Sequence, residues 1–211
     1  MKLKIVLPIL FGLIASPSMA KEVATETTDN TQRIIFVRHA EKPDEGLGNL
    51  TCQGLNRALL LPDYIEREFN KPDYIFAANP SIKNCELHGD GDGECYSYVR
   101  PLVTIAPTAI KYGMPVNAQY GWNDFEGLID ELFSEQYRSS DVLIAWEHMS
   151  IEVLVTLIKH RFDNNEPIPS WPNSDYDTVF ELVIDWNKPK DLTINVHKQN
   201  FENIGSACPS H

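Results

Sequence analysis

The stretch Ile34-Ile35-Phe36-Val37-Arg38-His39-Ala40-Glu41 sets an apolar, β-branched run directly against an Arg-His pair. Such a run reads as a short buried strand. A strand that ends this way delivers a cation and an imidazole to its C-terminal edge, where open α/β sheets bind ligands. The pattern recurs downstream in Asp141-Val142-Leu143-Ile144-Ala145-Trp146-Glu147-His148, which reads as a second apolar strand ending in a histidine. Between them, Arg100 heads an apolar helical stretch. Two histidines and two arginines, three of the four on strand ends, predict a site that handles phosphate.

Outward from this core, strands and helices alternate. Arg33 to Val37 reads as the first strand. Thr51 caps a helix that resumes after an interruption at Pro62 and runs to Phe69. Tyr74 to Ala78 reads as a strand, Tyr98 to Tyr112 as a helix closed by Gly113, and Met114 to Gln119 as a third strand. Asp124 to Tyr137 reads as a helix with an acidic outer face, Asp141 to Ala145 as a strand, and Ile151 to Phe162 as a helix. Val179 to Trp186 and Leu192 to His197 read as a closing antiparallel pair. This order predicts an α/β fold, with a mostly parallel central sheet and helices on both faces, in one domain spanning 33–211.

The first twenty residues read as a signal peptide: basic Lys2 and Lys4, apolar Ile5 to Ile14, and small Ser18 and Ala20 flanking Met19 before the cut. The apolar run is too short for a membrane span. Lys21 to Gln32 is polar and reads as a flexible lead-in. The expectation is an exported protein, periplasmic or secreted, with no membrane attachment once the leader is removed. The four cysteines suit an oxidising compartment. Of the three possible pairings, Cys85–Cys95 closes a short loop around the acidic Asp90 to Glu94 run and leaves Cys52 for Cys208. No C-x-x-C spacing favours a metal. The formal charge of −12 argues against nucleic acid and anionic membranes, which need a basic footprint. It leaves room for a small phosphorylated substrate, because the arginines lining a pocket set its local field. Nothing in the sequence speaks to oligomeric state.

Four motifs in order resemble those of the histidine phosphatase superfamily, the phosphoglycerate-mutase-like fold. Arg38-His39-Ala40-Glu41 is similar to its Arg-His-Gly-Glu signature. Leu50-Thr51-Cys52-Gln53-Gly54 looks like Leu-Thr-x-x-Gly, and Arg100-Pro101-Leu102-Val103-Thr104-Ile105-Ala106 is similar to Arg-Ala-x-x-Thr-Ala. Glu147-His148-Met149 stands at its second histidine. The resemblance implies a phosphatase without metal or cofactor. In it His39 is the nucleophile, Arg38 and Arg100 clamp the phosphoryl oxygens, and His148 donates a hydrogen bond to the same group. It also implies a glutamate acid after the third strand, which points to Glu126, with Asp124 and Glu147 as rivals. Ala40 departs from the family's glycine, Trp146-Glu147 from its usual approach to the second histidine, and Asn84 to Tyr96 reads as an insertion.

The chemistry agrees. A neutral imidazole splits phosphoryl transfer into two easier steps, and planar guanidinium groups suit a phosphoryl's spread of charge. A lone strand-end histidine is more often structural than catalytic, but Arg38 beside His39 and the matching His148 favour chemistry. A cation at a helix start has no dipole motive, so Arg100 reads as a clamp, with Lys83 next in line. His88, His160, His197 and His211 read as surface residues. The alternatives to a phosphatase are a catalytically weak phosphate-binding module of the same fold and a phosphomutase.

Overall fold

The computed structural model describes residues 30–44, 48–84, 95–188 and 190–210. The expected signal peptide, Cys85, His88, the Asp90 to Glu94 run and His211 lie outside the described residues. Thr31–Arg38 forms β1 and Cys52–Phe69 α1, followed by β2 (Tyr74–Ala77) and the short strands β3 (Lys83–Asn84) and β4 (Tyr96–Ser97). Then come α2 (Arg100–Tyr112), α3 (Phe125–Leu132), a 3₁₀ turn at Glu135–Tyr137, β5 (Asp141–Trp146), α4 (His148–Arg161), β6 (Thr178–Asp185) and β7 (Leu192–Lys198). None of the helices among the described residues is long and apolar enough to cross a membrane.

The main sheet has the order β2-β5-β1-β6-β7. β2, β5 and β1 run parallel, while β6 and β7 continue the sheet antiparallel. β1 sits at the centre with both faces covered, which its unbroken apolar run requires. Ile34 and Phe36 face Leu128 and Ile129 of α3 and Ile151, Leu154 and Ile158 of α4. Ile35 and Val37, alternating to the other face, pack with Leu61 and Ile65 of α1 and Ile105 of α2. Each such side chain, fully buried, contributes about 1.5–3 kcal/mol.

Several boundaries differ from expectation. Thr31 and Gln32 belong to β1, not to a flexible lead-in. Gln32 is buried, donates to the Leu132 carbonyl at 2.7 Å and accepts from the Trp186 indole at 3.1 Å. α1 passes Pro62 without a break, because the ring lies in the core and the only loss is the N–H that would serve Ala58. Met114 to Gln119 makes a single bridge, Phe76 to Asn117, in place of a third strand. Asn117 alone pairs with β2 there, donating to the Ile75 carbonyl at 2.8 Å and accepting from the Ala77 amide at 3.0 Å. α3 stops at Leu132, short of Tyr137.

The Cys52–Cys208 bridge is formed and ties the C-terminal tail to the start of α1. Cys95 is disulfide-bonded too. Replacing Cys52 and Cys208 together with serine should lower stability by about 2–5 kcal/mol, since the bridge spans 156 residues. Thermal denaturation would show this as a lower Tm. Turnover of the folded variant should change little, because neither sulfur lines the cavity described below.

Candidate active site

β1 and β5 are adjacent and parallel, so their C-terminal ends open side by side, with Arg38 opposite Trp146 in the register. The His39 amide extends this pairing to the Trp146 carbonyl at 2.8 Å. One residue on, the Ala40 amide donates to the Thr104 hydroxyl at 2.9 Å, and that hydroxyl donates to the Arg100 carbonyl at 2.9 Å. The first turn of α2 is thereby tied to the loop that carries His39. Gly48, at φ +69°, contributes the carbonyl that accepts from the Val99 and Arg100 amides, at 3.0 and 3.1 Å, where α2 has no side-chain cap. A Cβ on Gly54 would stand 2.4 Å from the Glu41 carbonyl oxygen, so only glycine lets α1 approach the loop this closely. Glu41 itself pairs with Arg57 through both carboxylate oxygens, at 2.9 and 3.0 Å.

These constraints bring Arg38, His39, Arg100, Glu147 and His148 around one cavity of about 200 Å³, together with Lys42 and Asn173. His39 is 1% exposed, and its Nδ1 lies 2.8 Å from the Ala40 carbonyl oxygen. A carbonyl can only accept, so Nδ1 carries the proton and Nε2 keeps its lone pair. Burial holds the His39 pKa well below the ordinary imidazole value. The Arg100 charge pushes the same way, as do Arg38 and His148, against the opposing Ala40 carbonyl. At neutral pH His39 is therefore an uncharged imidazole.

Arg38 is fixed by its Nη1, which donates to the carbonyls of Asn173 at 2.7 Å and Asp175 at 2.8 Å, while its guanidinium stacks 3.9 Å from the Tyr176 ring centre. Its Nε is buried and without a hydrogen-bond partner in this structure. Arg100, also buried, places its guanidinium carbon 4.7 Å from the Tyr98 ring centre. His148 opens α4; β5 stops two residues earlier, so His148 is not on a strand end. Its Nε2 lies 2.5 Å from Asn173 Oδ1, and the Glu147 carboxylate lies against its Nδ1. Glu147 also caps α4 by accepting from the Ser150 amide at 2.9 Å. Burial alone would raise the Glu147 pKa, but His148, the Ser150 amide and Arg38 outweigh it, and the net shift is downward. Glu147 is a carboxylate.

Glu126 is not in this site. Its side chain is 65% exposed and paired with Arg161 at 2.5 Å, and Arg161 also binds Asp130. Glu126 and Asp130, one turn apart on α3, share the stripe facing that arginine. Arg161 ends the helix that His148 begins, about 20 Å along its axis. Asp124 is exposed and spends its carboxylate capping α3 at the Gly127 amide. Lys83 is exposed on β3. His160 is exposed; His197 is half-buried, bonded to Glu181 at 2.9 Å and edge-on to Phe69. Glu126→Gln should therefore leave turnover of aryl and alkyl phosphates at the unaltered level and cost under about 1 kcal/mol of stability, as exposed ion pairs do. Steady-state kinetics on both ester types would check it, and a selective loss on alkyl esters would return Glu126 to the mechanism.

Sequence reasoning did not find Lys42 or Asn173. Lys42 had a signal, since it follows His39 by three residues in the same loop. Asn173 had none, because it arrives from the loop between α4 and β6.

No protein-family model and no curated protein sequence matches the chain. Solved structures do resemble it. The protein histidine phosphatase SixA, solved with tungstate, superposes with a TM-score of 0.54 at 12% identity, covering 79% of this chain and 97% of that one. A protein described as an α-ribazole-5′-phosphate phosphatase from Escherichia coli K-12 gives 0.53 at 11% identity, covering 85% and 99%. A mycobacterial glucosyl-3-phosphoglycerate phosphatase gives 0.51 at 12% identity, covering 79% and 97%. The chain shares the fold of these three structures.

Proposed function

We propose that this protein is an exported phosphomonoesterase acting on a small phosphorylated substrate through a phosphohistidine on His39. The observation that carries the reading is the His39 tautomer. With Nδ1–H held by the Ala40 carbonyl, the Nε2 lone pair is the ring's remaining reactive position, in a cavity lined by Arg38, Arg100 and His148. Nε2 attacks phosphorus, the phosphorus–oxygen ester bond breaks, and the leaving group departs with its electron pair. Water then attacks the phosphohistidine, releasing phosphate and restoring the imidazole. The Ala40 carbonyl stabilises the positive ring between the two steps. Arg38 and Arg100 meet the charge on the equatorial oxygens from fixed positions, so they need no reorganisation as the transition state forms.

The cations and imidazoles of the site suffice for these steps without a metal. Export is supported by the leader-like composition of residues 1–20 and by the Cys52–Cys208 bridge, which persists in an oxidising compartment. Release of p-nitrophenolate and inorganic phosphate from p-nitrophenyl phosphate by the purified protein, measured with and without a chelator, tests the activity. An aryl ester is the right first substrate, since its leaving group departs without a proton and Glu147 is ionised. No turnover across the pH range, with phosphate still bound, would make the protein a phosphate-binding module.

A further inference from the structure

The guanidinium groups of Arg38 and Arg100 line the cavity and suit the non-bridging oxygens of a bound phosphoryl, with the His148 imidazole beside them. Lys42 is a further cation there. Its side chain lines the same cavity and is partly buried, yet it makes no hydrogen bond or ion pair with any described residue. Burial, then Arg100, then Arg38 press its pKa down, while Glu147 and Asp44 oppose them from a distance. Glu147 makes no bond to it; its carboxylate oxygens meet His148 and the Ser150 amide instead. An ammonium held near two guanidinium groups, with no bonded counter-ion among the described residues, costs free energy in the empty site. That cost is recovered when an anion arrives.

We infer that Lys42 reads a second anionic group on the substrate, carried by the leaving group beside the scissile phosphoryl. The inference rests on the phosphate-site reading of the cavity, and it narrows the substrate class to phosphate esters with a further carboxylate or phosphate close to the ester. The residue types fit this division of labour. Planar arginine forks suit the phosphoryl oxygens, whereas lysine is a compact charge on a flexible stem that tolerates anions of different shape.

Binding of two non-hydrolysable probes separates this from its rivals without relying on turnover. Ethylphosphonate offers one anionic group, and phosphonoacetate offers a second, a carboxylate, at short range. Titration calorimetry on the full protein should show phosphonoacetate binding at least about tenfold more tightly. Lys42→Met should bring the two probes close to parity by weakening phosphonoacetate, and Lys42→Arg, which keeps the charge, should retain most of the preference. A preference that survives in Lys42→Met overturns the inference, as does equal binding of both probes by the unaltered protein. Equal weakening of both probes in Lys42→Met overturns it too, by placing Lys42 on the phosphoryl itself. Failure of both probes to bind the unaltered protein would instead remove the phosphate-site reading.

Discussion

His39→Ala should lower turnover of p-nitrophenyl phosphate by about 10³-fold or more, corresponding to about 4 kcal/mol of transition-state stabilisation. The variant removes the only ring whose tautomer is fixed with Nε2 free to attack in this cavity, and nothing else there replaces it: His148 has both nitrogens engaged by Glu147 and Asn173. Rapid acid-free quenching of the unaltered protein with labelled substrate should trap phosphate in a base-stable, acid-labile bond that maps to His39, and the variant should carry no label. The same substitution should make the fold less sensitive to acid. The His39 pKa is depressed in the folded protein, so as pH falls below the ordinary imidazole value the unfolded chain takes up a proton before the folded one does. The stability present above that value is lost on the way down to the depressed folded value. Alanine does not titrate, so the stability of the variant should fall less steeply over that interval in denaturant titrations. Label on another residue, or a variant with unchanged turnover, would end the phosphohistidine reading.

The halves of this site differ in how they were written into the sequence. Arg38 and His39 were legible because a continuous apolar run ends on them, and the central, doubly covered position of β1 demands such a run. Arg100 was legible from its place ahead of an apolar helix. The groups that connect them were less visible. His148 looks like a strand end in sequence, because a glutamate N-cap lies outside the usual Ser, Thr, Asp and Asn preference and so hides the true start of α4. Glu126 looked like the acid because it stands at a helix start after the expected third strand. Which way it points was decided by the burial of Leu128, Ile129 and Leu132, which leaves Glu126 and Asp130 to Arg161. Asn173 lies 25 residues beyond its partner His148 and is placed by a tertiary contact that no local pattern encodes. Local periodicity therefore specified the sheet and the place of His39, while the surroundings of the second histidine depended on how α3, α4 and the loop before β6 pack.

Glu147 is where that packing bears most on rate. If its carboxylate holds His148 in place, the group must be ionised, and the downward shift of its pKa keeps it so through mildly acidic pH. Turnover should then stay level from neutral pH into the mildly acidic range and fall only as pH passes the depressed Glu147 value, below the ordinary carboxylate range. A proton donor would give the opposite sign, with alkyl phosphates gaining rate as pH falls toward that value and aryl phosphates indifferent. Glu147→Gln separates the two. The amide can still reach the Ser150 amide proton through its oxygen but carries no charge for Nδ1 of His148. Turnover should drop on the order of 10²-fold, the scale of losing one preorganised donor, with aryl and alkyl substrates affected alike and the acid limb of the profile flattened. The folded protein should also lose its dependence on this carboxylate, whose stabilising contribution is present above its unfolded pKa and disappears as pH falls through the folded one. A loss confined to alkyl substrates, with the aryl rate intact, would instead make Glu147 the acid that delivers the proton to the leaving group.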